Sequence, residues 1–182
     1  MPAPPKDAPP IRIPKRPTPP ERIPRAIAAP TLDDHLEVIT KAVMQAGMSW
    51  ALLDGRWDAY RAAFENFDCS KVAAYGDAEI ERVLAAERIF KSRAKIAATV
   101  ANAQALLALE REFGSVRAYQ DTFASHADAV RDAKKRFAYM GDLNVFYWRF
   151  RTGASVPDFE EWMRGQERDH PRMREMVALP RP

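Results

Sequence analysis

Hydrophobic and polar positions follow a helical period over most of this chain. From Thr31 onward, apolar residues recur every three or four positions among Ala, Leu, Glu and Arg, which favour helix. Ile96, Val100, Ala103 and Leu107 thus fall on one face of a single long helix. No stretch shows a sustained period of two, and no internal repeat is visible. The pattern predicts an all-α fold.

Local signals mark where these helices begin and end. Thr31 followed by Asp33 and Asp34 is typical of a helix start, because the hydroxyl caps free N–H groups and the acids suit the helix dipole. Gly114 is typical of a helix end. The predicted helices cover approximately residues 31–45, 56–66, 78–86, 92–112, 115–123, 126–136, 142–151 and 158–170.

Composition divides the chain near residue 30. Of the 15 prolines, 11 lie within residues 1–30, and this segment carries six basic and two acidic residues, a net charge of +4. The other 152 residues carry 22 basic and 23 acidic groups, so the overall +3 comes from the leader. We expect residues 1–30 to be mostly disordered or extended, and residues 31–182 to form one helical domain. A solvated leader is favoured over one that contacts DNA or a partner protein.

Several classes of protein are excluded or disfavoured. A single cysteine, Cys69, rules out an internal disulfide and a multi-cysteine zinc site. His35, His126 and His170 have no ligand spacing and are interpreted as surface or helix-end residues. No segment is apolar enough to span a membrane or to act as a secretory signal. We expect a cytoplasmic protein with no metal and no cofactor.

Residues 45–50, with the sequence QAGMSW, form the first stretch that suggests chemistry. A glycine between small residues permits a tight bend after the first helix, which would present Met48 and Trp50 at a turn. An exposed tryptophan there would suit stacking on a base, whereas a buried one is ordinary core. Spacing alone favours the core, since most tryptophans are largely buried.

Two further stretches suggest contact with phosphate. Lys91, Arg93 and Lys95 cluster at the start of the long helix, where positive charge opposes the helix dipole, although a solvated face explains them equally well. Residues 137–142 lie between two predicted helices, with Gly141 directly before the second. This is the layout of a phosphate-binding helix–hairpin–helix, although one glycine between helices is common.

These stretches together resemble DNA-3-methyladenine glycosylase I. The resemblance rests on QAGMSW at 45–50, on YRAAF at 60–64 with Phe67 and Asp68, on KVAA at 71–74, and on RAKI at 93–96 with Asn102 and Ala103. It continues in IER at 80–82 and in residues 137–141. Order and spacing agree from about residue 33 to 113 and again around 134–150, which is roughly two thirds of the chain.

The resemblance implies a two-lobed helix–hairpin–helix DNA glycosylase that flips an alkylated purine such as 3-methyladenine out of duplex DNA and hydrolyses its N-glycosidic bond in base excision repair, without a lyase step. The expected enzyme is monomeric and associates with the nucleoid when it acts. The implied base pocket contains Trp50, Met48 and Gln45. The implied DNA contacts are Lys91, Arg93, Lys95, Tyr139, Met140 and Gly141.

The sequence also departs from this family. The family's base-recognising glutamate, eight residues before the pocket tryptophan, is Ala42 here. Loss of one such charged hydrogen bond is worth about 1.5–3 kcal/mol. The family's N-terminal motif and zinc ligands have no counterpart, Arg88 stands where the family has glycine, and Asp142 would repel a phosphate. Asp158, 17 residues after Gly141, is a candidate catalytic acid, although an N-cap is the simpler interpretation.

Three functions follow from these observations. The first is a divergent glycosylase that acts on alkylated duplex DNA. The second, favoured by Ala42, is a catalytically inactive protein that binds DNA or its lesions on the same scaffold. The third is a partner-binding module that uses the proline-rich leader and no DNA. The resemblance favours the first.

Overall fold

The computed structural model describes residues 26–46 and 48–166, and within these residues every regular element is helical. The prediction of an all-α fold is confirmed. None of the described helices has both the length and the apolar character that crossing a membrane requires. The helices are α1 (Leu32–Gln45), α2 (Trp50–Asp54), α3 (Trp57–Ala63), α4 (Cys69–Ala73), α5 (Asp77–Ala85), α6 (Arg93–Phe113), α7 (Val116–Asp121), α8 (His126–Arg136), α9 (Asp142–Arg151) and α10 (Phe159–Arg164).

The first helix begins where the sequence predicts. Thr31 caps α1 by accepting a hydrogen bond from the Asp34 N–H, and the Asp34 carboxylate accepts one from the Thr31 N–H in return. This reciprocal arrangement satisfies two backbone donors that the start of a helix leaves free. One face of α1, including Leu36, Ile39 and Val43, is buried in the core.

Helix α6 is the longest element, and α1, α4, α5 and α7 all pack against it. It spans 21 residues and ends at Gly114, whose φ of 79° lies in the left-handed region that glycine adopts without strain. Ile96, Ala103, Leu106 and Leu109 of α6 are completely buried. This helix is therefore the scaffold to which the other segments attach.

The sequence pattern did not predict two short helices. Ser49 caps α2 by accepting from the Leu52 N–H, and Asp68 caps α4 by accepting from the Lys71 N–H. Each helix has five residues, which is too short for a 3.6-residue period to be visible in the sequence. The predicted helix over 56–66 ends early at Ala63, because residues 65–67 form a 3-10 turn with positive φ angles.

The aromatic residues of α9 form much of the core. Trp148 is 1% exposed, and its indole N–H donates to Nδ1 of His35 on α1 at 2.9 Å. Of the two interpretations of His35, the surface position is wrong, since it is only 2% exposed, whereas a helix-end position agrees with its place in the first turn of α1. Burial lowers the pKa of His35 to about 4, against an opposing effect of the Asp34 charge. The His35–Trp148 bond joins α1 to α9.

The proline-rich leader can be followed only at its end. Residues 1–25 lie outside the described residues, so the expectation of a disordered or extended leader remains a prediction there. The Ile27 N–H donates to the Arg151 carbonyl at 2.7 Å, and Ile27 packs partly buried against the core. The chain thus enters the domain beside the C-terminal end of α9. Of the helix predicted over 158–170, residues 167–170 also lie outside the described part.

Candidate functional site

The QAGMSW segment forms a tight connection between α1 and α2. The Met48 N–H donates to the Gln45 carbonyl at 2.8 Å, and the Gln45 side-chain amide donates back to the Met48 carbonyl at 3.2 Å. Met48 is half-buried, and Gly47 lies outside the described residues. Gln45 thus holds the shape of the turn, and Trp50 follows it as the first residue of α2.

Trp50 is a core residue in this structure. Its side chain is 5% exposed, and its ring centroid lies 5.2 Å from that of Tyr147 on α9. The indole Nε1 is buried and has no hydrogen-bond partner. The interpretation of Trp50 as buried, which spacing favoured, is confirmed, and Tyr147 covers it on one side. Leu52, which follows in α2, is by contrast 45% exposed.

Charged side chains surround this aromatic pair. Lys41 Nζ lies 2.6 Å from Asp54 Oδ1, and Glu37 Oε1 accepts from the Trp57 indole N–H and from the Arg61 guanidinium. Burial raises the pKa of Tyr147 to about 12; Arg151 opposes this shift, and Asp54 and Glu37 add to it. The charges of α1 and α2 therefore act on a tyrosine of α9.

Ala42, at the position where the resemblance implies a glutamate, is 3% exposed on α1. Asp34 is occupied by the N-terminal cap of the helix, and Glu37 by Trp57 and Arg61. Neither of these two carboxylates takes the place of the missing side chain. Sequence reasoning overlooked Tyr147 and Asp54, because each meets its partners only through the tertiary fold.

The segment from Phe137 to Gly141 connects α8 and α9 as a short hairpin. The Asn102 side chain of α6 accepts from the Ala138 N–H at 2.7 Å and donates to the Ala138 carbonyl at 3.1 Å. Tyr139 is 54% exposed and has a positive φ of 59°. Met140 is 2% exposed, so its side chain lies in the core, and its contact with DNA as part of the hairpin stays a prediction.

Gly141 is the N-cap of α9 and supplies no side-chain cap to it. A Cβ atom at this position would meet no heavy atom within 4 Å, so the space around the backbone is open. Helix N-termini with exposed N–H groups attract anions. The geometry at Gly141 fits the predicted approach of a phosphate.

Asp142 follows Gly141, and we expected its charge to repel a phosphate. Its carboxylate instead accepts from His126 Nε2 at 2.9 Å, from the Trp162 indole N–H at 3.2 Å and from the Gln166 side-chain amide at 3.2 Å. Burial raises the pKa of Asp142, but the hydrogen bonds from His126, Gln166 and Trp162 outweigh it and the net shift is downward. These donors stabilise the ionised form of the carboxylate, so the repulsion of a phosphate by Asp142 stays a prediction.

The three basic residues before and within α6 have internal partners. Lys91 Nζ donates to the carbonyls of Leu84 and Ala86, at the C-terminal end of α5. Arg93 pairs with acids of α5, its nearest partner being Glu81 at 2.8 Å.

Lys95 Nζ donates to the carbonyls of Met44 and Ala46 at 3.4 and 3.2 Å, at the C-terminal end of α1. Burial lowers its pKa. The positive charge at the start of α6 therefore has an internal explanation, because two of these residues stabilise helix C-termini. Their contact with DNA remains a prediction.

The same side of α6 holds both the turn and the hairpin. Lys95 binds the turn and Asn102 binds the hairpin, and they are seven residues apart, almost two full turns. Their attachment points therefore lie on one face, about 10 Å apart along the axis. A groove of about 420 Å³ between α4 and α6 involves Gln104, which lies about 200° around α6 from Asn102. That groove is on the opposite side from the candidate site.

Two other residues singled out in the sequence have local roles. Asp158 is exposed and caps α10 by accepting from the Glu161 N–H at 3.0 Å, so the geometry favours the capping interpretation and its catalytic role stays a prediction. Arg88 has a φ of 62°, which explains why the implied family residue is glycine, and its guanidinium donates to the Gly55 carbonyl. In the described residues, no three His, Cys, Asp or Glu side chains are placed to hold a metal ion.

Comparison with known sequences identifies similar proteins. A family described as methyladenine glycosylase matches residues 28–144. The DNA-3-methyladenine glycosylase 1 of Escherichia coli is 34% identical over 97 residues, which cover 53% of this chain and 52% of that protein. The DNA-3-methyladenine glycosylase of Haemophilus influenzae is 33% identical over 88 residues, 48% of each chain. The chain spans about half the length of these curated relatives.

Comparison of folds gives longer matches. A crystal structure of 3-methyladenine DNA glycosylase I superposes with a TM-score of 0.59 and 25% identity, over 72% of this chain and 82% of that one. A structure of 3-methyladenine DNA glycosylase I from Staphylococcus aureus superposes with a TM-score of 0.62 and 22% identity. The match covers 73% of this chain and 83% of that one. The helical arrangement is thus shared over nearly three quarters of this chain.

Proposed function

Because the chain belongs to the methyladenine glycosylase family, we propose that it hydrolyses the N-glycosidic bond of methylated purines in duplex DNA. The oxygen of water bonds to the sugar carbon as the cationic base leaves in neutral form with the electron pair of the broken bond. The proton of the water passes to solvent, and the strand is not cut. The names of the E. coli and H. influenzae relatives support 3-methyladenine as the first base to test.

The observation that carries this proposal is the placement of the turn and the hairpin on one face of α6. The hairpin offers the N-terminus of α9 to a phosphate, and the α6 residues that hold the turn and the hairpin lie about 10 Å apart along the helix axis. A DNA strand bound at Gly141 is proposed to continue along this face towards the turn that leads to Trp50.

Exposed hydrophobic side chains beside the turn and in the hairpin suit a distorted duplex. In the described residues the two large hydrophobic side chains that are exposed are Leu52, next to the turn, and Tyr139, in the hairpin. Apolar side chains inserted between base steps are a common means of holding a kinked duplex, from which a base is more readily extruded. Met48, half-buried in the turn, is in position to assist them.

Hydrolysis of the N-glycosidic bond of a cationic base requires relatively little catalysis by the protein. A methylated purine that carries a positive charge is already a good leaving group, so recognition and positioning dominate over acid catalysis. The ring faces of Trp50 and Tyr147 provide π-surfaces that attract a cationic base. Both rings are covered in this structure, so the proposal requires local opening when a flipped base enters.

Release of free base from methylated DNA tests the function directly. Purified protein is incubated with duplex DNA treated with a methylating agent, and released bases are separated and quantified by chromatography. We expect 3-methyladenine to appear above the spontaneous rate measured without protein. Specific binding of methylated duplex with no release would instead support the second function, an inactive lesion-binding protein, which Ala42 favours.

A second prediction concerns the backbone at Gly141. Gly141→Ala is expected to keep the fold, since φ is −77° and the added Cβ meets no atom within 4 Å. The methyl group stands where a phosphate would approach, so we expect affinity for duplex DNA and base release to fall about tenfold, as for the loss of one charge-assisted hydrogen bond. Fluorescence anisotropy with labelled duplex measures the affinity.

Gly76→Ala is the matched control. Gly76 is also an N-cap with an extended backbone, at the start of α5, and a Cβ there would lie 3.5 Å from Glu79 Oε2, an ordinary contact. It is expected to leave DNA affinity unchanged. Equal affinity of the Gly141→Ala variant and the wild type would contradict the hairpin as the phosphate site.

A further inference from the structure

The face of α2 that carries Trp50 also carries Asp54. The two residues are four positions apart, one helical turn, so their side chains lie side by side. Trp50 Nε1, a donor, and Asp54 Oδ2, an acceptor, are both buried and neither has a hydrogen-bond partner. An unsatisfied buried polar group destabilises a fold, so a fold that retains two of them on one helix face calls for an explanation.

Asp54 is distinguished from the other carboxylate near Tyr147 by what already binds it. Glu37 accepts three hydrogen bonds, from Trp57 and Arg61. Lys41 contacts Asp54 through Oδ1 at 2.6 Å, which leaves Oδ2 with capacity to accept. The two side chains of this ion pair are only 15% and 17% exposed. The three bonds to Glu37 all go to Oε1 of a side chain that is 23% exposed, so Asp54 differs in that its unpartnered oxygen is buried.

We infer that Trp50 Nε1 and Asp54 Oδ2 form a donor–acceptor pair that binds the hydrogen-bonding edge of the base, so that α2 supplies the carboxylate that Ala42 of α1 does not. An adenine ring offers the complementary pattern, an amino group that donates and a ring nitrogen that accepts. Tyr147, 5.2 Å from the Trp50 ring, is the aromatic neighbour of this pair. The inference rests on the proposed function and names the residues that recognise its substrate.

Lys41 acts as a positioning residue in this arrangement. Its ammonium group lies against Asp54 Oδ1 and 5.0 Å from the centre of the Trp57 ring, so it fixes the carboxylate in one orientation. It also balances the carboxylate charge. The site should therefore select a base mainly by its hydrogen-bonding pattern and less by its positive charge.

The test uses the indole N–H signals of the full-length protein in ¹H–¹⁵N NMR spectra. The chain has four tryptophans, and the signal of Trp50 is assigned by its absence from a Trp50→Phe variant. Titration with free 3-methyladenine is expected to shift this signal, and titration with adenine gives the selectivity. In Asp54→Asn the dissociation constant for 3-methyladenine should rise at least tenfold.

Two variants separate recognition from stability. Asp58→Asn removes an exposed acid of the neighbouring helix and should change neither the shift nor the affinity. Adding Ala42→Glu to Asp54→Asn returns a carboxylate from α1 and should recover affinity at least fivefold. A purely structural role of Asp54, as the partner of Lys41, does not predict that rescue. Circular dichroism confirms that each variant folds at the temperature of the titration.

The outcomes distinguish the inference from the proposed function. Unchanged affinity in Asp54→Asn overturns the inference, as does wild-type protein that binds no 3-methyladenine. A wild type that binds the free base but releases none from methylated DNA contradicts the glycosylase function and leaves the inference standing. Release from DNA that is equal in wild type and Asp54→Asn, with equal affinity for the base, retains the function and rejects Asp54.

Discussion

Replacement of Asn102 with alanine is expected to lower the free energy of unfolding by about 3 kcal/mol and to detach the hairpin from α6. Asn102 is completely buried, and its amide makes two hydrogen bonds to the backbone of Ala138. Alanine leaves both Ala138 groups without a partner and leaves space where the amide was, and each unmet backbone group costs about 1–3 kcal/mol. Ala138 is half-exposed, so water limits the total.

The functional effect of this substitution should exceed that of the lost stability. Under conditions where the variant is fully folded, the hairpin is no longer held on the same face of α6 as the turn. We expect the affinity for duplex DNA, measured by fluorescence anisotropy, to fall more than tenfold. The hairpin that contacts phosphate and the turn that leads to Trp50 would no longer be held at a fixed distance from each other. Base release should fall with the affinity.

Gln104→Ala is the control on the same helix. Gln104 donates a single exposed hydrogen bond to the Ala73 carbonyl, on the opposite face of α6. Its loss should cost less than about 1 kcal/mol and leave DNA affinity unchanged. If Asn102→Ala binds DNA as well as this control does, the hairpin does not depend on α6 for its position.

The sequence predicted best what depends on neighbours along the chain. The Thr31 cap, the long α6 with its stop at Gly114, and the Asp158 cap all involve groups within four residues of each other. Such signals require only local backbone geometry, so a single sequence contains them. The five-residue helices α2 and α4 were not predicted, because little more than one turn of helix is too short to show a repeating hydrophobic pattern.

The residues that surround Trp50 could not be predicted from the sequence for a different reason. Tyr147 is 97 residues from Trp50, and the Lys41–Asp54 pair joins two helices across the turn. The sequence shows that a lysine and an aspartate are present but not that they meet. The same limit applies to Lys91 and Lys95, whose positions suggested free charge until their carbonyl partners on α5 and α1 were seen.

The free energy of unfolding should also depend on pH through His35. This effect should be about as large as that of Asn102→Ala. The folded protein holds this ring neutral, with a pKa lowered by burial to about 4 from an ordinary value of 6.5. Between these values the unfolded chain binds a proton that the folded protein does not. Stability therefore rises with pH across this window and falls as the pH drops from 6.5 towards 4, by about 3 kcal/mol in total.

His35→Gln isolates this contribution. The glutamine side chain retains an oxygen that can accept from the Trp148 indole N–H, which His35 Nδ1 accepts in the wild type at 2.9 Å. Denaturant unfolding at pH 7, 6, 5 and 4 gives the free energy of unfolding of both proteins. The two plots against pH should converge or cross as the pH falls, since only the wild type loses the stabilisation that comes from keeping His35 neutral. Parallel curves would mean that His35 is not held neutral in the fold.

Protonation of His35 should also affect the candidate site, because the His35–Trp148 hydrogen bond joins the two helices beside it. His35 belongs to α1, which carries Lys41 and Ala42, and Trp148 is adjacent to Tyr147 on α9. Protonation of the ring at Nδ1 removes the acceptor that holds these two helices together, and both helices contribute residues around Trp50. DNA binding at the hairpin, which depends on Asn102, should therefore persist to lower pH than recognition of the base. Measurement of duplex affinity and 3-methyladenine affinity side by side at pH 7 and pH 4, where about half of the His35 rings carry a proton, tests that order.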